Sequence, residues 1–562
     1  MTAPDQHPRA LKRATMRSEA ERPAAAALAR EPEHDCTPTK IKKTGSNGDE
    51  TKYPDKRGNY HKGLPHDGFG IVKPAAYASM LKALQTRTGF DKIILDPDGG
   101  RKLTNPQAAL AGDLEGPCPR DQKMLAAPSV TSIETSTEAV ELYWMALLRD
   151  VPFVEWGTNG GIGDAIDELN KQKEYTGPTI GGKITRQTVF RGCDPGDTAG
   201  PYLSQFLLHD IGYGSLTINQ RQMTVLGEPA LGVGKADYLT DYATWLAVQN
   251  GSTGPFNDQI DPKARYIRDM RDLGQYVHVD ALYEAYLNAC LILLDTGAKL
   301  DPGNPYESPH PDFKTQIGFG TFGGPHILSL VTEVATRALK AQWYQKWVVN
   351  RRLRPEAYGG LVHLTLVGHN GTKRDFGLPK PILQSVAVKR TLAKSKGKSA
   401  LMPMAFPEGS PTHPSYGAGH ATVAGACVTI LKAWFKEDEL LMLKPMVPRA
   451  DGLELDPYTG SDANKLTVEG ELNKVAANIS IGRNMAGVHW RSDYTESVRL
   501  GEEVALCILS NQRFDYNECG WSFTLRRFNG QRVTVNSRGV FDEKGKKVRL
   551  SCEPCKARPV CK

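Results

Sequence analysis

No stretch of this 562-residue chain approaches the ~18 consecutive apolar residues of a membrane helix, so the sequence predicts a soluble protein with no membrane partner. It also has little excess of either charge. Lys and Arg total 70, Asp and Glu 63, and the formal net charge is +7. That suits attraction of small anions but not nucleic acid, which needs a concentrated basic face. Two basic runs, 388–398 (VKRTLAKSKGK) and 544–549, read as solvated surface. The N-terminus lacks a positive-then-apolar signal pattern, so a cytoplasmic location is the default expectation. Internal repeats are absent. Hydrophobic residues at 40% and charged residues at 24% exclude a mostly disordered or fibrous chain and leave material for a large core.

The ten cysteines are scattered. Cys290, Cys427 and Cys507 sit in apolar helical contexts and read as small buried hydrophobes. The tail places Cys552, Cys555 and Cys561 together with no fourth partner nearby, which leaves a metal site and a disulfide both open.

Apolar spacings of three and four predict helices over 139–150 and 277–294. Pro325 opens a long helix over 325–352, with proline in its favoured first turn, and Pro355 stops it. Residues 420–436 and 494–510 are further strong helices. Asn529-Gly530, between 522–525 and 532–535, is a hairpin signal. The expected fold is mainly α, a large helical bundle with a small C-terminal β-hairpin. Its expected divisions are a disordered tail over 1–60, an N-terminal helical region over 61–324, the main bundle over 325–515, and the hairpin with the cysteine tail over 516–562.

Three segments concentrate unusual residues. Residues 346–355 (KWVVNRRLRP) carry Lys346 and Arg354; alone, they read as an exposed basic helix end favoured by the macrodipole. Residues 410–422 (SPTHPSYGAGHAT) run a Gly/Pro loop into an apolar helix. There Gly419 offers backbone N–H groups at a helix N-terminus, an oxyanion site, and His413 and His420 bracket it. Residues 481–493 (IGRNMAGVHWRSD) hold Arg483, a planar fork for oxyanions, and His489 four residues before Asp493. On one helix that spacing lets the carboxylate orient the imidazole, leaving the other nitrogen free as ligand or nucleophile. Together the segments describe a pocket for a tetrahedral oxyanion, phosphate or its larger analogue vanadate.

The pattern Lys-x7-Arg-Pro, then Gly-His, then Arg-x3-Gly-x-His-x3-Asp resembles the vanadium-dependent haloperoxidase and type 2 phosphatidic-acid phosphatase superfamily. Residues 321–329 (TFGGPHILS), 346–360 and 410–422 look like the red-algal and bacterial haloperoxidases. The resemblance implies a helical-bundle peroxidase with vanadate as cofactor, and hydrogen peroxide, a halide and a small organic acceptor as substrates. It also implies a homodimer or higher homo-oligomer. His489 would be the vanadium ligand, oriented by Asp493. Lys346, Arg354, Arg483 and the Gly419 N–H would neutralise the oxygens. His420 would be the acid/base, and His413 would sit near peroxide or halide. Trp343 matches the fungal chloroperoxidases and His413 the bromoperoxidases, which implies bromide oxidation with chloride as an extension. One departure matters: the family usually has Ser where this chain has Ala418, which cannot donate to the oxyanion. Two other readings follow, an acid phosphatase using His489 as nucleophile and a vanadate-free acid/base homologue favoured by Ala418. The loop 301–319 carries oxygen donors of the kind calcium takes, at a spacing that specifies no site.

Overall fold

A computed structural model of the chain describes residues 45–113, 115–225, 237–254, 258–307 and 313–552. In chain order the helices are α1 (Asp49–Lys52), α2 (Pro74–Thr86), α3 (Ile133–Leu147), α4 (Gly160–Leu169), α5 (Tyr242–Gln249), α6 (Met270–Val279), α7 (Glu284–Asp295), α8 (Gly324–Tyr344), α9 (Pro355–Leu366), α10 (Lys380–Leu383), α11 (Val386–Lys394), α12 (Gly419–Trp434), α13 (Val468–Met485) and α14 (Arg491–Gln512). Two short antiparallel pairs, β1 (Ile211–Tyr213) with β2 (Leu216–Ile218) and β3 (Met446–Pro448) with β4 (Leu455–Pro457), are peripheral to this bundle. The mainly α expectation holds. No single helix among the described residues is long and apolar enough to cross a membrane.

The centre of the bundle is α12, packed against α8, α13 and α14. Every α12 residue except His420 is buried, as a helix apolar on all sides must be. Glycine lets α12 and α14 approach closely. A Cβ at Gly425 would lie 2.0 Å from the Val498 carbonyl oxygen, and one at Gly501 would lie 2.0 Å from that of Thr422. Neither position admits a side chain in a close-packed interior.

Three of the expected elements change. The 325–352 helix is α-helical only to Tyr344; Gln345–Asn350 form a wider π turn, and Arg351 then takes a left-handed backbone with φ 43°. Residues 277–294 are two helices, α6 and α7, bent by 98°. Periodicity runs through the bend, but Asp280 is extended there and its side chain is engaged elsewhere. The hairpin, β5 (Ser522–Arg526) with β6 (Arg532–Asn536), gains a third antiparallel strand, β7 (Gly539–Asp542). Alternation turns Phe523, Leu525, Val533 and Val535 inward, against α12 and α14.

Residues 45–60, expected within a disordered tail, are ordered. Glu50 accepts from Arg351 at 2.8 and 2.6 Å, the Tyr60 N–H donates to the Arg351 carbonyl at 2.8 Å, and the Leu353 N–H donates to that of Gly58 at 3.1 Å. Their polar composition hid this because the contacts are ionic and backbone rather than apolar. Residues 1–44 of that expected tail lie outside the described residues.

Cys507 is not a free buried thiol: it is bonded to Cys552, while Cys290 and Cys427 are free and buried. Cys555 and Cys561 lie outside the described residues, as do 308–312 of the loop considered for calcium. Among the described residues no group of three or more His, Cys, Asp or Glu side chains is arranged to hold a metal ion.

Candidate active site

His489 and Asp493 do pair, though not along one helix face. His489 precedes α14, and Asp493 is in that helix's first turn. Asp493 Oδ2 accepts from His489 Nδ1 at 2.8 Å and from the Trp490 N–H at 3.1 Å. One carboxylate thus caps the helix and fixes the imidazole tautomer, leaving Nε2 as the acceptor. Arg352 Nη1, at 2.8 Å, and the Ser415 hydroxyl also donate to Asp493. Burial, then the charges of Arg354 and Lys346, push the His489 pKa well below its ordinary value, so the ring is neutral near pH 7.

The predicted basic helix end is not exposed: Lys346 and Arg354 are buried. The π turn and left-handed Arg351 fold the segment back under the 410–420 loop. Lys346 Nζ donates to the carbonyls of Pro414 at 2.8 Å and Ser415 at 3.1 Å. Arg354 reaches both other segments. It donates to the His413 carbonyl at 3.0 Å, the Val488 carbonyl at 2.7 Å, His413 Nδ1 at 2.9 Å and His489 Nε2 at 3.0 Å. Arg483, from the last turn of α13, donates to the Val277 carbonyl at 2.6 Å and lies over Phe406, 5.4 Å from its centroid. None of the three cations has a carboxylate in ion-pair contact among the described residues. Burial lowers the pKa of all three, and the charge of Arg354 lowers that of Lys346 further.

His420, on the first turn of α12, makes a 3.0 Å bond through Nε2 to Asp280 Oδ1. Burial and Arg483 lower the His420 pKa against the pull of Asp280. Burial raises that of Asp280, but His420 and Arg483 outweigh it and bring it down. His413 is held beside Trp343, with ring centroids 4.8 Å apart, and Lys346 Nζ lies 5.7 Å from the Trp343 ring. A Cβ on Gly419 would meet Trp343 at 3.4 Å and Leu339 at 3.3 Å. The residues named from three distant segments therefore converge. Sequence reasoning missed Asp280, 140 residues before His420, and Arg352, Ser415 and Phe406. No spacing rule links them to their partners. The one local signal was the polar Asp280 inside an apolar run.

The donor set fits a multiply charged oxyanion. Among the described residues the three buried cations make no ion-pair contact with a carboxylate, and Arg483 Nε is buried without a hydrogen-bond partner. The N-terminus of α12 has no side-chain cap, and His489 Nε2 is an acceptor met by Arg354 Nη1 at 3.0 Å. Unpaired buried charge and orphan donors are costly unless a ligand satisfies them.

The family model described as the VCPO second helical-bundle domain matches residues 388–514, which hold Gly419, His420, Arg483 and His489. The chain is 39% identical to a vanadium-dependent bromoperoxidase of Corallina pilulifera, covering 85% of this chain and 90% of that protein. It is 33% identical to one of Ascophyllum nodosum, covering 87% and 88%. It also resembles the solved homohexameric structure of the second vanadate-dependent bromoperoxidase of Ascophyllum nodosum. There the TM-score is 0.82 and the identity 29%, over 94% of this chain and 92% of that one. With long-range identity, fold and pocket in agreement, this chain belongs to the vanadium-dependent bromoperoxidase family.

Proposed function

We propose that this chain is a vanadium-dependent haloperoxidase that oxidises bromide with hydrogen peroxide and halogenates small organic acceptors. The observation that carries the reading is the cluster of three buried cations, none in ion-pair contact with a carboxylate among the described residues, around a neutral histidine whose Nε2 is an acceptor met by Arg354. His489 would hold vanadate through Nε2, which meets Arg354 in the free protein, with Asp493 fixing its ring. Lys346, Arg354 and Arg483 balance the oxyanion charge, and the Gly419 N–H donates to it. Vanadate, when bound, supplies a Lewis acid that activates peroxide toward halide without changing oxidation state.

The chain's own residues do the rest. The net reaction, H2O2 + Br− + H+ to HOBr + H2O, consumes one proton. His420 is the group that accepts a proton from peroxide and returns one, held in place by Asp280. His413 and Trp343 form the wall where halide enters. Trp343 is the residue that extends the reading to chloride. The homohexameric neighbour supports assembly of this chain as a homo-oligomer.

The test is halogenation of monochlorodimedone by protein freed of vanadate and then reconstituted. Activity that appears only with vanadate and is lost, together with vanadate binding, in His489→Ala is the expected result. Full activity in that variant would remove the assignment. Release of phosphate from p-nitrophenyl phosphate with no halogenation would instead make the chain a phosphatase.

A further inference from the structure

Of the three buried cations, Arg483 is the least tied. Lys346 donates to two carbonyls, and Arg354 donates to carbonyls and two histidines. Among the described residues Arg483 makes one hydrogen bond, from Nη1 to the Val277 carbonyl at 2.6 Å, and its Nε has none. One bond does not fix a long side chain that has many rotamers to lose. The other contact of the guanidinium is with Phe406: it lies over that ring, 5.4 Å from the centroid. Its charge acts on Lys346, His420 and His489, so it is within electrostatic reach of all three.

Phe406 is itself clamped. It is buried, and the His278 imidazole stacks on it with centroids 3.8 Å apart and planes 9° apart. Glu408 Oε1 accepts from His278 Nε2 at 2.8 Å, so the chain that carries Phe406 grips the same imidazole again two residues on. The Glu408 carbonyl accepts from Lys62 at 2.7 Å and from Arg101 at 3.2 Å, which pins this loop. Both contacts of Arg483 therefore come from one unit. The last turn of α6 supplies Val277 and His278, and the loop packed on it supplies Phe406 and Glu408.

We propose that Phe406 is a positioning residue for Arg483, its clamped ring holding the guanidinium aimed at the bound oxyanion. This rests on the reading of the pocket as an oxyanion site. The attraction is between the cation and the negative face of the ring. Without it Arg483 keeps its charge, but its side chain must be ordered when the ligand binds, and affinity falls by that cost. His278 and Glu408 act one step further out, through the ring.

The experiment lowers the electron density of the ring while keeping its shape. Phe406 is replaced by phenylalanines carrying one, two and three ring fluorines. Each protein is freed of vanadate and titrated with orthovanadate by calorimetry, and the bound species is followed by vanadium-51 NMR. Affinity should fall with each added fluorine, by about twofold to tenfold at three. Phe406→Leu should lose at least as much. In an Arg483→Met background, read at correspondingly higher vanadate, Phe406→Leu should cost little more, because the ring acts through that guanidinium. Affinity indifferent to fluorine number, or a Phe406→Leu loss of the same size with and without Arg483, overturns the role given to Phe406. Absence of vanadate binding by the unsubstituted protein is a separate outcome, and it overturns the pocket reading as well.

Discussion

Two sets of buried arginines are treated in opposite ways. Arg149, Arg271, Arg352 and Arg491 each face a carboxylate: Asp237 at 2.5 Å, Asp150 at 2.5 Å, Asp493 at 2.8 Å and Glu141 at 2.5 Å. Arg354 and Arg483, equally buried, face carbonyls, two histidines and an aromatic ring. The contrast is sharpest within the tripeptide from Arg352 to Arg354, where the first guanidinium is neutralised and the last is not. Burying an unpaired charge costs several kcal/mol, so a fold keeps one only where something outside the chain balances it. The first set is paired within the fold, and the proposed function gives the second an oxyanion as its counter-charge.

That distinction predicts opposite signs on substitution. Arg491→Met leaves Glu141 buried and alone, and should destabilise the protein by about 3–5 kcal/mol in thermal or denaturant melting. Arg354→Met removes a charge that no carboxylate contacts among the described residues. The melting temperature of the vanadate-free protein should hold or rise, while vanadate affinity falls by about a hundredfold or more, roughly 3 kcal/mol. A large loss of stability in Arg354→Met without loss of affinity would erase the distinction.

Ligand addition should show the same reserve. Orthovanadate at about a hundred times its dissociation constant should stabilise the protein by ~2.7 kcal/mol, read as a rise in melting temperature. The pH dependence has a definite sign. His413 and His489 have folded pKa values pressed well below 6.5, by burial and then by the Lys346 and Arg354 charges. Below the unfolded value the unfolded chain binds more protons, so stability is fully present above about pH 6.5 and drains away as pH falls. Stability of the vanadate-free protein that rose on acidification would contradict these assignments.

The smallest expected change concerns the acid/base pair. Asp280 pulls the His420 pKa upward against burial. Asp280→Asn should therefore shift the acid limb of the kcat profile to lower pH. It should also cut kcat by about tenfold to a hundredfold, with little change in vanadate affinity. An unshifted profile would separate Asp280 from His420 function.

Much of the site was legible in the chain itself. Lys346, Arg354, Gly419, His420, Arg483 and His489 stand in short motifs whose residue types suit one oxyanion, and the structure gathers them. The pairing of His489 with Asp493 was also readable, although through a helix cap rather than a helix face. Less was legible where partners are remote. Asp280 comes from a bend between α6 and α7 that continuous apolar periodicity concealed. The strap at residues 45–60 looked like a tail because Glu50, Gly58 and Tyr60 act through ion pairs and backbone bonds to Arg351 and Leu353, which hydrophobic patterning does not register. Cys507 read as a core hydrophobe because its partner, Cys552, is 45 residues away.

The sequence by itself determined the helical architecture, the chemistry of the pocket and its alanine at 418. Periodicity, capping and charge are local properties, and the motifs are short enough to carry them. Only the tertiary structure decided which cations pair with carboxylates and which do not, and which carboxylates serve His420 and His489. Those outcomes depend on which groups exclude water together, and that is a property of packing between segments far apart in the chain.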